Sequence, residues 1–366
     1  MVKKRLHMTK DKLKSLRINP LDRTIYNKIK QNWDSLSKPL DGLGDFETLI
    51  CRIGAIHGTE YPTVKNRSLI CFCADNGIVS EGVSQCGREV TASVAEALGK
   101  GVSTANVLAD KAGVQVIPVD IGIDREGAIP GVDDRKLACG TRNFLAGPAM
   151  TEDEAVGAIE CGIRIAGEQK SRGADILAAG EMGIGNTTTA SAVVCSLLDL
   201  KPEEIVGRGA GLDDAGLMQK LKVVDLGTGK YDHLKELDGF DRAFETLRCL
   251  GGLDIAGMTG LFIGAALSSL PVVADGVISL TSALLAERLI PGVKEYMIAS
   301  HSGREKGSGY VLSELGLKPY ICGDMALGEG TGALMLFPLI DMAYTLYSKG
   351  THFEDAGIKA YERFEK

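Results

Sequence analysis

The chain has 366 residues, 45% of them hydrophobic and only 5% aromatic, with 46 glycines and a formal net charge of −7. An excess of acidic residues argues against nucleic-acid binding by the chain as a whole. Abundant aliphatic residues and glycine favour an α/β enzyme over an all-β sandwich. The basic run Lys3–Arg5 lacks the apolar stretch that would follow it in a signal peptide, so the sequence predicts a cytoplasmic protein.

The first predicted element is an amphipathic helix near the amino terminus. Its apolar positions recur at spacings of three and four, and the pattern ends at Lys38-Pro39. These positions are Leu21, Ile25, Ile29, Trp33 and Leu36.

Five short apolar runs, each ending at a small, acidic or hydroxyl residue, alternate with helix-length segments. This alternation predicts a mostly parallel, Rossmann-like sheet flanked by helices, with ligands bound at the carboxyl ends of the strands. The terminal polar residues could rim such a site or only cap strand ends. The runs are Leu69–Ala74, Val114–Val119, Ile176–Ala179, Val272–Ala274 and Tyr296–Ala299.

Ile255–Ala274 carries no charge over a length that could span a membrane. Its glycines and Pro271 favour a buried helix followed by a buried strand, and no membrane span is predicted. Farther on, Leu336–Tyr347 and Ala356–Phe364 have helical patterns. We expect residues 1–45 and 336–366 to form a small helical subdomain beside a catalytic α/β domain of residues 46–335.

The nine cysteines lie mostly in apolar runs, which indicates reduced core thiols. The sequence has no Cys-x-x-Cys pair, so a structural zinc site is not expected.

A glycine turn at Gly180–Ala190 follows one of the predicted strands and leads into a helix. Glycines allow close backbone approach, and the first helical turn offers unpaired N–H groups to a phosphate. The alternative is a turn that only reverses the chain direction.

A second glycine loop, Gly207–Asp214, precedes a helix that contains Lys220. It matches neither the dinucleotide-binding pattern nor the Walker pattern, and the usual signature of diphosphate-dependent phosphoribosyltransferases is missing. The expected ligand is therefore a monophosphate, with Lys220 as a neutralising charge. Alternatively, Lys220 is an ordinary solvated lysine.

Near the carboxyl end, Glu329 stands between glycines in Leu327–Ala333. Such a glutamate can approach a flat substrate closely and act as a general base, although a surface turn would give the same spacing. The segment Ser300–Gly303 adds hydroxyls and His301 at a strand end, without an inferable nucleophilic triad.

Many ordered segments resemble the nicotinate-nucleotide:dimethylbenzimidazole phosphoribosyltransferase family over nearly the whole chain. The matching segments are Lys38-Pro39, Cys73–Gly77, Glu81–Val83, Val90-Thr91, Val119–Ile123, Gly147–Met150, Gly180–Thr188, Gly207–Gly211, Gly251-Gly252, Asp275-Gly276, Ser300-His301 and Leu327–Ala333.

The resemblance implies a homodimer, no metal or other cofactor, and nicotinate mononucleotide and a benzimidazole-type base as substrates. It assigns Glu329 as the base, with Glu181 and Lys220 also in the catalytic set and Glu181 in a supporting role. It places the phosphate and ribose on a set of loop residues: Gly183, Ile184, Gly185, Asn186, Thr187, Thr188, Gly209 and Ser300.

The base pocket is assigned to Cys86, Val94 and Leu327. Cys86 and Val94 replace a serine and a glutamine of the family pattern, and Leu40-Asp41-Gly42 also departs from it. Two alternatives remain: a sister transferase with phenolic or purine acceptors, or a non-catalytic nucleotide-binding paralogue.

Overall fold

Six strands form a parallel sheet at the centre of the computed structural model, which describes residues 8–363. Their order is β3-β2-β1-β4-β5-β6, and every neighbouring pair is parallel. The strands are β1 (Arg67–Ala74), β2 (Val114–Gly122), β3 (Asp133–Asp134), β4 (Ile176–Met182), β5 (Val272–Ala274) and β6 (Met297–Ala299). A separate parallel pair is formed by β7 (His301–Gly303) and β8 (Ile321–Met325).

Helices cover both faces of this sheet, which explains the continuous apolar runs in its strands. They are α1 (Lys10–Ser15), α2 (Arg23–Ser35), α3 (Asp45–His57), α4 (Glu89–Gly99), α5 (Thr104–Ala112), α6 (Glu152–Ser171), α7 (Asn186–Leu198), α8 (Pro202–Ile205), α9 (Asp214–Lys230), α10 (Gly239–Leu250), α11 (Leu253–Leu267), α12 (Val277–Leu289), α13 (Gly307–Leu315), α14 (Thr331–Lys349) and α15 (Phe353–Ala356).

The predicted α/β fold is confirmed, and all five predicted apolar runs coincide with strands of the central sheet. Sequence patterns did not reveal β3, which has two residues, or β7 and β8, which are short and partly exposed. From β1 the chain builds β2 and β3 on one side, and later β4, β5 and β6 on the other. The carboxyl ends of β1 and β4 therefore flank the switch point where ligands bind in such sheets.

The uncharged segment Ile255–Ala274 is a buried helix followed by a buried strand, as predicted. Helix α11 lies inside the monomer and packs closely against α6. A Cβ on Gly260 would come within 2.0 Å of the Ile159 carbonyl oxygen, so glycine permits this contact. Across residues 8–363, the structure contains no helix with the length and apolar character of a membrane span.

The two chain ends meet beside the sheet. The rings of Trp33 and Tyr347 lie 5.2 Å apart, and the Ser37 N–H donates to the Thr351 carbonyl over 2.8 Å. Helix α14 includes the predicted helical segment Leu336–Tyr347 but begins earlier, so a boundary at residue 336 would fall inside it. The division into two domains stays a prediction.

The second helical prediction near the carboxyl terminus, Ala356–Phe364, is wrong for the residues that can be described. Helix α15 ends at Ala356, because Gly357 takes a left-handed conformation (φ 66°) and terminates it. Residues 358–363 are not helical. Phe364 and the basic run Lys3–Arg5 lie outside the described residues.

The cysteines are unpaired thiols, as predicted. Six are buried, and three are exposed: Cys86, Cys139 and Cys322.

Candidate active site

A cavity of about 280 Å³ lies at the carboxyl end of the sheet. Its wall includes the ends of β4 and β8, the first turn of α12 and part of the second glycine loop. It brings together predicted site residues that are far apart in the chain: Val94, Glu181, Gly183, Ile184, Asn186, Thr187, Gly209, Leu327 and Glu329.

Other predicted site residues do not form the cavity wall. Gly185 precedes α7 in a left-handed conformation, and Thr188 is buried behind that turn. Ser300 is fully buried. Lys220 is also buried, and it contacts the cavity wall through its hydrogen bond to Thr187. Cys86 is exposed on a separate loop, so this geometry gives its base-pocket assignment no support.

The first glycine loop already uses several of its backbone N–H groups. Ile184 N–H donates to Thr91 Oγ1 (3.2 Å), Asn186 N–H to the Gly183 carbonyl (3.0 Å), and Thr188 N–H to the Gly185 carbonyl (2.9 Å). These bonds fix the loop shape and leave fewer amides for an anion than the sequence suggested.

A buried lysine supplies positive charge next to both glycine loops. Lys220 of α9 is 1% exposed, and its Nζ donates to Thr187 Oγ1 over 2.8 Å. The position that a Cβ on Gly209 would take lies 3.3 Å from the same Nζ. Burial lowers the pKa of Lys220 to about 8, opposed by the negative charge of Glu305. The solvated alternative for this lysine is therefore wrong.

Glu181 belongs to a chain of buried polar groups. The Asn186 amide donates to Glu181 Oε2 and also to Asp254 Oδ2, the latter over 3.0 Å. Burial raises the pKa of Glu181 to about 8 and that of Asp254 to about 6. Near neutral pH, Glu181 is therefore mostly a neutral acid, and Asn186 bridges two carboxyl groups.

Asp275, at the end of β5, holds the loop that carries Glu329. Its two carboxylate oxygens accept from the N–H groups of Gly332 (2.7 Å) and Gly330 (3.1 Å), at the start of α14. Burial raises the pKa of Asp275 to about 6, although these bonds favour its ionised form.

Glu329 has a left-handed backbone (φ 56°), which is unusual for a residue with a side chain. Such strain often accompanies a functional position. The Glu329 carboxylate faces the first turn of α5, where its Oε2 accepts from the Ala105 N–H over 3.2 Å. The cavity wall includes Glu329 and the neighbouring half-exposed Leu327.

His301 is a buried histidine that is satisfied locally. Its Nδ1 and Ser300 Oγ share a hydrogen bond of 2.9 Å, and burial lowers its pKa. It contributes to the cavity wall, where its burial disfavours the charged imidazolium form.

Sequence reasoning did not identify Asp254 and Glu305 as parts of the site. Asp254 borders the uncharged segment of α11, a signal that could have marked it as a buried acid. Glu305 lies between two charged residues, and no sequence signal separated it from a solvated surface group.

Among residues 8–363, three carboxylates lie close enough to share a cation: Asp34, Asp41 and Glu47. They already form ion pairs with Lys30, Lys38 and Arg363. None of them contributes to the cavity wall. This group is therefore best described as an ion-pair network between the chain ends.

The chain is similar to known proteins over most of its length. A family model described as Phosphoribosyltransferase matches residues 18–358. The nicotinate-nucleotide–dimethylbenzimidazole phosphoribosyltransferase of Clostridium acetobutylicum is 42% identical over 345 residues, which cover 94% of this chain and 97% of that protein. The protein of the same name from Acetivibrio thermocellus is 43% identical over 334 residues, covering 91% and 94%.

The crystal structure of CobT from Thermus thermophilus superimposes with a TM-score of 0.86 at 34% identity. The match covers 92% of this chain and 100% of that chain. The parallel sheet and the cavity at the carboxyl ends of its strands thus define an α/β enzyme with a small-molecule site. More narrowly, the chain belongs to the phosphoribosyltransferase family that includes the nicotinate-nucleotide–dimethylbenzimidazole enzymes.

Proposed function

We propose that the chain transfers the phosphoribosyl group of nicotinate mononucleotide to 5,6-dimethylbenzimidazole or a related base. The products are α-ribazole 5′-phosphate, for the lower ligand of cobalamin, and nicotinate. One observation carries the proposal: a single cavity is bordered by Glu329, by Thr187, which accepts a hydrogen bond from buried Lys220, and by Gly209, which lies beside the same lysine. The names of the similar proteins support this choice of substrates.

The bond changes balance without a further reactant. A ring nitrogen of the base attacks the anomeric carbon of the ribose from the face opposite nicotinate, which inverts that carbon. The electron pair of the broken C–N bond returns to the pyridinium nitrogen, so nicotinate leaves without needing a proton. Glu329 takes the N–H proton of the attacking azole, as a general base.

The phosphate is assigned to the Lys220 end of the cavity. There the ammonium, the Thr187 hydroxyl and the Gly209 backbone provide the charge and the close approach that a phosphate requires. Glu181 is assigned a supporting role near the ribose, where a neutral carboxyl group can donate a hydrogen bond as well as accept one.

The acceptor base is assigned to the part of the cavity bordered by Val94 and Leu327. Both side chains are apolar, which suits a methylated benzimidazole better than a purine with polar edges. Cys86 stays a weaker candidate for this pocket because of its exposed position.

We also propose a cytoplasmic homodimer. Exposed apolar side chains at the start of α5 and along α14 support an interface: Val102, Val107, Met335 and Met342. Helix α11 cannot form the dimer interface, because it is buried in the monomer. The unpaired cysteines fit a reducing compartment. Light scattering at micromolar concentration tests the dimer, and an active monomer would contradict it.

The function is tested by incubating the protein with nicotinate mononucleotide and a panel of azoles, purines and phenols, with product detection by mass. We expect an α-ribotide of dimethylbenzimidazole together with one nicotinate for each product. Preferred transfer to a phenol or a purine would identify a sister transferase. Nucleotide binding without transfer to any acceptor would identify a non-catalytic paralogue.

A further inference from the structure

The carboxylate of Glu305 contacts the backbone of the second glycine loop. Oε1 of Glu305 accepts a hydrogen bond from the Gly209 N–H over 3.1 Å. A Cβ on Gly207 would lie only 1.6 Å from Glu305 Oε2, so the loop backbone closely surrounds this carboxylate. Both Glu305 and Gly209 contribute to the cavity wall.

The same loop position is next to the buried ammonium group. The Lys220 Nζ and the Thr187 Oγ1 lie 3.3 and 2.9 Å from where a Cβ of Gly209 would stand. Glu305 is the charged group whose attraction raises the pKa of Lys220 against the effect of burial. A backbone N–H of a left-handed glycine together with a buried ammonium is the arrangement that binds anions, and Glu305 is the anion present.

The geometry points to Glu305 as an exchangeable internal ligand: its carboxylate occupies the Gly209 N–H in the empty enzyme, and the phosphate monoester of the substrate displaces it. The inference rests on the proposed function for the identity of that substrate. A phosphate and a carboxylate repel each other and cannot share one donor. Glu305 therefore lowers the affinity for phosphorylated ligands and speeds the release of the phosphorylated product.

The displacement requires only a side-chain rotation. Glu305 lies in the short connection between β7 and α13 and is partly exposed to solvent. Its backbone carbonyl accepts from the Ser308 N–H over 3.0 Å at the start of α13, a bond that does not involve the side chain. The carboxylate can therefore move into solvent while the helix start stays in place.

The test compares the binding of three ligands by titration calorimetry: nicotinate mononucleotide, ribose 5-phosphate and nicotinate riboside, which lacks the phosphate. The variant is Glu305→Gln, and the measurements are made well below pH 8, because the pKa of Lys220 is about 8 and the loss of Glu305 lowers it further. Glu203→Gln is the control, because it removes an exposed carboxylate just before the same loop. Thermal unfolding checks that each variant is folded.

In Glu305→Gln, we expect both phosphorylated ligands to bind about tenfold or more tightly, the size of one charge-assisted hydrogen bond. Binding of the riboside should stay unchanged, as should all binding in Glu203→Gln. Glu305→Ala should shift affinities in the same direction. Equal or weaker phosphate binding in the Glu305 variants, or equal tightening for the riboside, would overturn the proposal. Ribose 5-phosphate cannot react, so failure of the transfer reaction would leave this test intact.

Discussion

Lys220 Nζ donates a hydrogen bond to Thr187 Oγ1 over 2.8 Å, and this contact joins helix α9, which follows the second glycine loop, to the first glycine loop. Replacing Lys220 by methionine removes the charge while keeping much of the buried stem. We expect the KM for nicotinate mononucleotide to rise about 10- to 100-fold, with a smaller change in kcat. Steady-state kinetics measure both. Lys222→Met, on the exposed face of α9, is the matched control. An unchanged KM in Lys220→Met would contradict the phosphate assignment.

The lowered pKa of Lys220 predicts a pH dependence of substrate binding. Below a pH of about 8 the ammonium is charged, and above it the group loses its proton. The KM for nicotinate mononucleotide should therefore stay flat at lower pH and rise above about pH 8. Lys220→Met should lack this rise. If the variant shows the same profile as the parent protein, another group is responsible for the pH dependence.

Glu181 predicts a pH-dependent contribution to stability. Its pKa is raised from 4.5 to about 8, so the folded state binds the proton more tightly than the unfolded state. The proton on Glu181 therefore stabilises the folded state. This stabilisation is fully present below pH 4.5 and is lost as the pH rises through about 8. Relative to Glu181→Gln, the free energy of unfolding of the parent should fall across this interval in urea titrations. A difference that does not vary with pH would contradict the raised pKa.

Because Asp275 holds the loop that carries Glu329, we expect its replacement to affect both stability and catalysis. Asp275→Ala leaves the N–H groups of Gly330 and Gly332 without their acceptor and frees the loop that carries Glu329. We expect a loss of about 1–3 kcal/mol in the free energy of unfolding, together with a lower kcat. Asp275→Asn keeps one acceptor oxygen, so its free energy of unfolding and its kcat should both fall less than those of the alanine variant. Full activity in the alanine variant would show that this loop is positioned by other contacts.

Val94 predicts the preference among acceptor bases. An apolar side chain leaves the polar edge of a purine unpaired, at a cost of about 1–3 kcal/mol. Dimethylbenzimidazole should therefore outcompete adenine in a mixed assay. The Val94→Gln variant should show a smaller preference for dimethylbenzimidazole over adenine. Preferential use of adenine by the parent protein would show that Val94 does not set the choice.

The sheet could be predicted from the sequence because parallel strands covered on both faces produce continuous apolar runs, such as Leu69–Ala74. The glycine loops and Glu329 were also visible, since each is a local pattern. The Asn186–Asp254 contact was not, because it joins residues 68 positions apart. The same holds for Glu305, which reaches the second glycine loop from 96 positions away. Such contacts depend on the packing of whole elements, which local periodicity does not describe.

The central claim is that Glu329 is the general base of the reaction. Glu329→Gln keeps the size of the side chain and an oxygen that can accept from the Ala105 N–H, but it removes the basic carboxylate. Nicotinate mononucleotide should bind the variant normally, because its phosphate is assigned to the Lys220 end of the cavity. Glu203→Gln, an exposed site, controls for the lost charge.

The most direct measurement is kcat for transfer to dimethylbenzimidazole at neutral pH, with nucleotide binding measured in parallel. General-base catalysis contributes about 10²–10⁴-fold, so Glu329→Gln should lose that much turnover, with a deficit that shrinks as the pH rises. Turnover within about threefold of the parent protein, a barrier change below 1 kcal/mol, would show that Glu329 is not the base.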